Sequence, residues 1–151
     1  MTNPQLFIHL LVEGTVGAVV LIVIAFLLSR FTKDIVGRSL LVIFLFAAAG
    51  AYFGFAIAAG AGPLWTLVEL AQVVFGTMAL LGLLAPCIGL PQDALHPLWN
   101  AGLHYIGPGH SFAPITYAIA CISFDLVVAA YIAIAYGLIG GRSLGFRDVA
   151  T

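Results

Sequence analysis

Long uncharged apolar stretches alternate with short polar connections along the chain, a pattern that predicts membrane-spanning helices. The first stretch runs from Leu6 to Ser29. It lacks the positively charged start of a secretory signal and is read as a retained span. No charged residue occurs from Ser39 to Val68, and Gly60-Ala-Gly-Pro63 punctuates that run close to the length one span needs, about 20 residues. Helices are therefore expected over about 6–29, 39–60 and 64–84, and the apolar stretch from Phe112 to Gly140 predicts another over 112–140.

The stretch from Pro86 to Ile106 is mixed, with Gln92, Asp93, His96, Asn100 and His104, and with Pro91 and Pro97 interrupting it. Hydropathy alone reads it as a loop. Charge argues for a crossing. Arg30, Lys33 and Arg38 mark the first connection as cytoplasmic, and Arg142 and Arg147 fall on that side only if 86–106 also spans. The reading is an all-α polytopic membrane helix bundle of five spans in one domain, 1–151, with the N-terminus outside and the C-terminus cytoplasmic. Four spans with a re-entrant or interfacial fourth segment is the alternative.

Composition sharpens this. Of 151 residues 63% are hydrophobic and 7% charged, against about 25% charged in soluble domains, so a water-soluble globule is excluded. The net charge of −1 leaves no basic patch for nucleic acid. Five spans consume about 100 residues, which leaves no room for a soluble domain. No Gly-rich phosphate loop of the Walker type is present, which argues against nucleotide-driven activity.

Ionisable groups at membrane depth cost about 2.5 to 3.5 kcal/mol each on insertion scales and usually face the bundle interior. His9 and Glu13, then Glu69 and Gln72, then His96, Asn100 and His104, then Tyr117, Cys121 and Asp125 each recur at helical spacing on one face. With about 1.5 Å of rise per residue, the five-span topology puts His9, Glu13, Glu69, Asn100 and His104 in the outer half. His96 and Asp125 fall nearer the midplane. Four segments then send polar groups toward one outward-opening cavity.

Each group also has a plainer reading. His9 and Glu13 read best as a helix-end pair, and His110 as a loop residue. His96, Asn100 and His104 are an ordinary amphipathic face if their segment lies on the membrane surface. For Glu69 with Gln72, and for Asp125, function is favoured, although a buried carboxylate can also tie helices together by hydrogen bonding. Cys87 and Cys121 fall at different depths, which argues against a disulfide, and Cys121 by default is a small buried hydrophobe. Gly50, Gly54, Ala58 and Gly62 form a small-residue stripe, read as ordinary helix packing or as a contact in a homo-oligomer.

The string His96-Pro-Leu-Trp-Asn100, then His104, Phe112-Ala-Pro114, Cys121 and Asp125, with Gly50-Ala-Tyr52 and Glu69 before it, resembles a family of small bacterial integral membrane proteins catalogued as domain of unknown function 6010. The resemblance covers roughly residues 47–135. It departs from the family pattern in having Asn100 for an Asp, Tyr105 for a His, and Cys121 separated from Asp125. It implies a bacterial inner-membrane location and supports the choice of residues, but carries no activity.

The sequence thus favours a membrane-embedded enzyme acting on a lipophilic small molecule from the bilayer. Glu69 and Asp125 would exchange protons, His96, Asn100 and His104 would relay or stabilise charge, and Trp99, Tyr117 and Cys121 would line the pocket. Isomerisation, cyclisation and hydrolysis all fit. The same His96, His104, Glu69 and Asp125 are candidate ligands for a divalent metal, and two histidines on different helices for a haem. A small proton-coupled transporter using Glu69 and Asp125, or a packing subunit of a larger membrane complex, are the non-enzymatic alternatives.

Overall fold

A 28-residue helix, α1 (Pro4–Phe31), opens the fold in the computed structural model, which describes residues 3–81, 98–99 and 101–135 apart from the side chains of Asp34, Leu45 and residues 75–81. Asn3 caps α1 by accepting a 3.0 Å hydrogen bond from the Gln5 N–H, and Pro4 occupies the first turn, where its missing N–H leaves no bond unmade. Helices α2 (Asp34–Ala58) and α3 (Pro63–Leu81) follow. A short helical segment at 101–105, here α4, then leads through a 3₁₀ turn (Pro108–Ser111) into α5 (Ile115–Ala135). Every regular element among the described residues is helical.

α2 begins five residues before the apolar run that predicts it, so Arg38 lies inside the helix. Hydropathy marks where hydrocarbon can begin, whereas helical hydrogen bonding carries on through charged residues. α5 begins three residues after its apolar run, because the chain leaves the 3₁₀ turn through Phe112 and Ala113 and Pro114 precedes the first helical residue. The predicted crossing at 86–106 lies largely outside the described residues, as do residues 136–140 of the predicted last helix.

Between α2 and α3 the chain reverses in four residues. Ala61 N–H reaches back to the Ala56 carbonyl (2.9 Å) and Gly60 N–H to that of Ile57 (3.1 Å), the paired bonds of a Schellman turn. That turn needs a left-handed residue just past the helix, and Gly60 supplies it at φ 64°.

α1 packs on α5 and on α2, and α2 packs on α3. The buried face of α1 is a narrow stripe, Leu10, Gly14, Ala18, Leu21 and Ala25, while Val12, Val16, Val19 and Val23 on its other faces are exposed. Small residues in the stripe let backbones approach closely, as in membrane helix pairs. The approach is tightest at Gly14, where a Cβ would lie 2.1 Å from the Ala120 carbonyl oxygen. Beside it the Ser123 hydroxyl donates across the interface to the Leu11 carbonyl at 2.8 Å.

Two buried clusters result. One gathers Tyr52, Ala56, Leu103, Phe112, Ala113 and Ala118 near the α2–α3 turn, and the other gathers Ala18, Leu21, Ala25, Leu41 and Val128 toward the opposite end. Among the described residues three helices, α1, α2 and α5, contain stretches long and apolar enough to cross a membrane, and α3 carries a shorter apolar run, Pro63–Val74. The outward faces of all four are rich in exposed Val, Leu, Ile and Phe. Such a surface suits hydrocarbon and would be an aggregation liability in water.

Candidate functional site

The buried polar residues come from three different helices. Glu69 of α3 is 0% exposed and Asp125 of α5 is 2% exposed, with Gln72 and His104 also buried. Charged side chains are almost never fully buried without a structural or functional reason, and these lie in helices that are otherwise nearly all apolar. α2 contributes Tyr52, also fully buried, which sequence reasoning did not place in the site.

Helical spacing explains the convergence. Tyr52, Glu69 and Cys121 each lie six residues in from the helix ends at Ala58, Pro63 and Ile115, about 9 Å along each axis. Asp125 is one turn deeper on the face of α5 that carries Tyr117 and Cys121. Tyr52 joins three of these elements: its ring meets those of Phe55, His104 and Tyr117. Its ring meets Tyr117 edge-on, with centroids 5.4 Å apart, and Phe55 at 6.3 Å.

Hydrogen bonds fix parts of this arrangement. Gln72 Nε2 donates to Glu69 Oε2 at 3.2 Å, one turn apart on α3, which orients the carboxyl group. The Tyr117 hydroxyl donates to the Ala48 carbonyl at 3.2 Å and so ties α5 to α2, and the Cys121 thiol sits one turn along from it in side-chain contact. His104 differs. Its ring packs against Tyr52, but neither imidazole nitrogen has a hydrogen-bond partner among the described residues, although the residue is only 7% exposed. Buried polar groups are nearly always paired, which sets this imidazole apart from the other buried polar side chains.

Other sequence-predicted residues lie apart. His9 Nε2 is 3.0 Å from Glu13 Oε1, but both side chains are more than half exposed on α1, as a local pair one turn apart. Trp99 lies with Trp65 on an apolar groove of about 510 Å³ whose lining does not include Tyr117. His96, Asn100 and Cys87 lie outside the described residues. Gly50 and Gly54 meet nothing within 4 Å of a would-be Cβ, and Ala58 is exposed, so the small-residue stripe of α2 packs on no described residue.

Chemically, the cluster offers two carboxyl groups, an imidazole, a phenol and a thiol in an apolar surround, a set suited to moving protons. Among the described residues no three His, Cys, Asp or Glu side chains gather closely enough to hold a metal ion. Sequence hydropathy reveals Glu69 and Asp125 because charge stands out in an apolar run. It does not reveal Tyr52, whose only signal is a polar-tipped aromatic between Gly50 and Gly54 on a helix of small residues.

No curated protein and no solved structure matches the chain. The sequence profile of a family of unknown function, DUF6010, matches residues 13–143, a stretch that takes in Tyr52, Glu69, His104, Cys121 and Asp125. The protein is a member of the DUF6010 family.

Proposed function

We propose that the protein is a membrane-embedded enzyme that performs acid–base chemistry on a lipophilic substrate with a cluster of Glu69, His104, Asp125 and Tyr52. The observation that carries this reading is the burial of two carboxyl groups, Glu69 and Asp125, together with Tyr52, in helices that are otherwise nearly all apolar. Helix packing needs one or two polar contacts, and Tyr117 with Ala48 and Ser123 with Leu11 already supply them. A second carboxyl group, and an imidazole with no hydrogen-bond partner among the described residues, exceed that need.

In the mechanism, one carboxyl group holds a proton and gives it to the substrate, while the other, ionised, takes a proton from it. Two buried carboxyl groups in an apolar surround favour such a split, because burial disfavours ionising both. Gln72 holds Glu69 in place, and His104 and the Tyr52 hydroxyl stabilise charge as it develops. Such acid–base assistance contributes about 10² to 10⁴-fold in rate. Isomerisation and cyclisation need nothing further, and hydrolysis needs water.

The topology that goes with this reading has five spans, with the N-terminus outside, the C-terminus cytoplasmic and the cluster in the outer half of a bacterial inner membrane. A cytoplasmic signal from a C-terminal reporter is expected, and an extracytoplasmic one overturns the fifth crossing. For the chemistry, purified protein is incubated with membrane lipid extract and products are followed by mass spectrometry. Glu69→Gln and Asp125→Asn are each expected to lower turnover about 10² to 10⁴-fold. Full turnover in both variants overturns the assignment.

A further inference from the structure

Trp65 of α3 and Trp99, Gly102, Leu103, Ile106 and Pro108 of the α4 region line an apolar groove of about 510 Å³, within the usual range for a small-molecule site, about 300 to 1,000 Å³. Among the described residues no charged side chain lines it. Its rim is continuous with the outward apolar surface: Leu98 and Ile106, which line it, are both strongly exposed. Leu103 belongs to two places at once, because it lines the groove and is also a buried member of the cluster around Tyr52. The next residue is His104, buried, with both ring nitrogens lacking partners among the described residues.

We infer that this groove is a lateral port from the bilayer for an uncharged amphiphile, whose hydrocarbon chain lies between Trp65 and Trp99 and whose hydroxyl or carbonyl head reaches His104. The inference rests on the proposed enzyme reading and names its substrate class. An apolar trough open to the lipid-facing surface accepts a chain at no desolvation cost. A neutral imidazole has one donor and one acceptor, and a hydroxyl head satisfies both. Among the described residues no cationic side chain lines the groove, which leaves a phosphate or carboxylate head without a counter-charge.

The protein carries its own reporters, since Trp65 and Trp99 are its only tryptophans and both line the groove. Bromine on an acyl chain quenches tryptophan on contact. A dibrominated monoacylglycerol is titrated into nanodiscs of unbrominated phosphatidylcholine that hold the full-length protein. Quenching is expected to saturate, with the same midpoint in Trp65→Phe and Trp99→Phe, because each remaining tryptophan reads the same groove. At Gly102 a Cβ would meet no atom within 4 Å, so Gly102→Leu fills the groove without a clash and is expected to move the midpoint at least about tenfold, roughly 1.4 kcal/mol. His104→Leu is expected to abolish the preference for the monoacylglycerol over a dibrominated hydrocarbon lacking a head.

Quenching that rises linearly without saturation, or a midpoint unchanged by Gly102→Leu, overturns the port. Equal midpoints for a dibrominated phosphatidic acid, or a head-group preference that survives His104→Leu, overturn the uncharged-head assignment. Binding here needs no turnover. Saturable binding with full activity in Glu69→Gln and Asp125→Asn therefore sinks the enzyme reading alone, and loss of activity in those variants without saturable binding sinks the port alone.

Discussion

The imidazole of His104 lies against the ring of Tyr52 with centroids 6.5 Å apart and planes inclined at 65°. A histidine held by a ring face and by no hydrogen bond among the described residues is costly to bury, by about 1 to 3 kcal/mol for an unsatisfied group. His104→Leu is therefore expected to raise the stability of the ligand-free protein by about 1 kcal/mol or more, read by denaturant unfolding in detergent, while reducing turnover. A loss of stability would show instead that the imidazole is a structural element.

Tyr117→Phe keeps the ring that packs on Tyr52 and Phe55 and removes only the hydroxyl that donates to the Ala48 carbonyl. The expected loss is about 0.5 to 1.5 kcal/mol. Tyr117→Ala should cost several times as much, because it also empties the ring's place in the cluster. Equal losses in the two variants would mean that the hydroxyl, and not the ring, joins α5 to α2.

Gly14→Val tests the α1–α5 contact. Any Cβ there meets the Ala120 carbonyl and the Ser123 hydroxyl at under 3 Å, and both belong to the facing helix. The helices must separate, at about 1 to 3 kcal/mol, and thermal unfolding in detergent should register the drop. Ser123→Ala, which loses only the bond to Leu11, should cost about 0.6 kcal/mol, the usual worth of an interhelical hydrogen bond in a membrane.

Gly60→Val forces a branched side chain into a left-handed backbone, at about 1 to 2 kcal/mol. Gly60→Asn should cost clearly less, since asparagine tolerates that region. Melting temperatures of the two variants give the comparison, and equal values would mean that the turn adapts by another geometry.

How much of this is legible in the sequence depends on what marks each residue. Glu69, Asp125 and the local pair of His9 with Glu13 stand out because a charge within an apolar run is rare and its helical spacing assigns a face. The all-helical class follows from run length alone. Tyr52 does not stand out, because a tyrosine reads as half apolar and its centrality depends on which face of α2 meets α3 and α5. The groove is invisible for the same reason: Trp65 reads as a headgroup-level aromatic, and only the placement of α3 beside the α4 region gives it Trp99 as an opposite wall. The start of α2 at Asp34 is hidden because apolarity reports the bilayer, not the backbone.

The four-residue reversal at Gly60 works as a ruler. Tyr52 and Glu69 lie at matching depth because the two arms of the hairpin are counted from the same tight turn, six residues along each. One residue inserted early in α3 would turn Glu69 by about 100° and move it about 1.5 Å along the axis, taking the carboxyl group away from the phenol while leaving every apolar run intact. Most surface connections tolerate insertions. This one sets the alignment of two buried polar groups, so its length is as much a part of the candidate site as the side chains it positions.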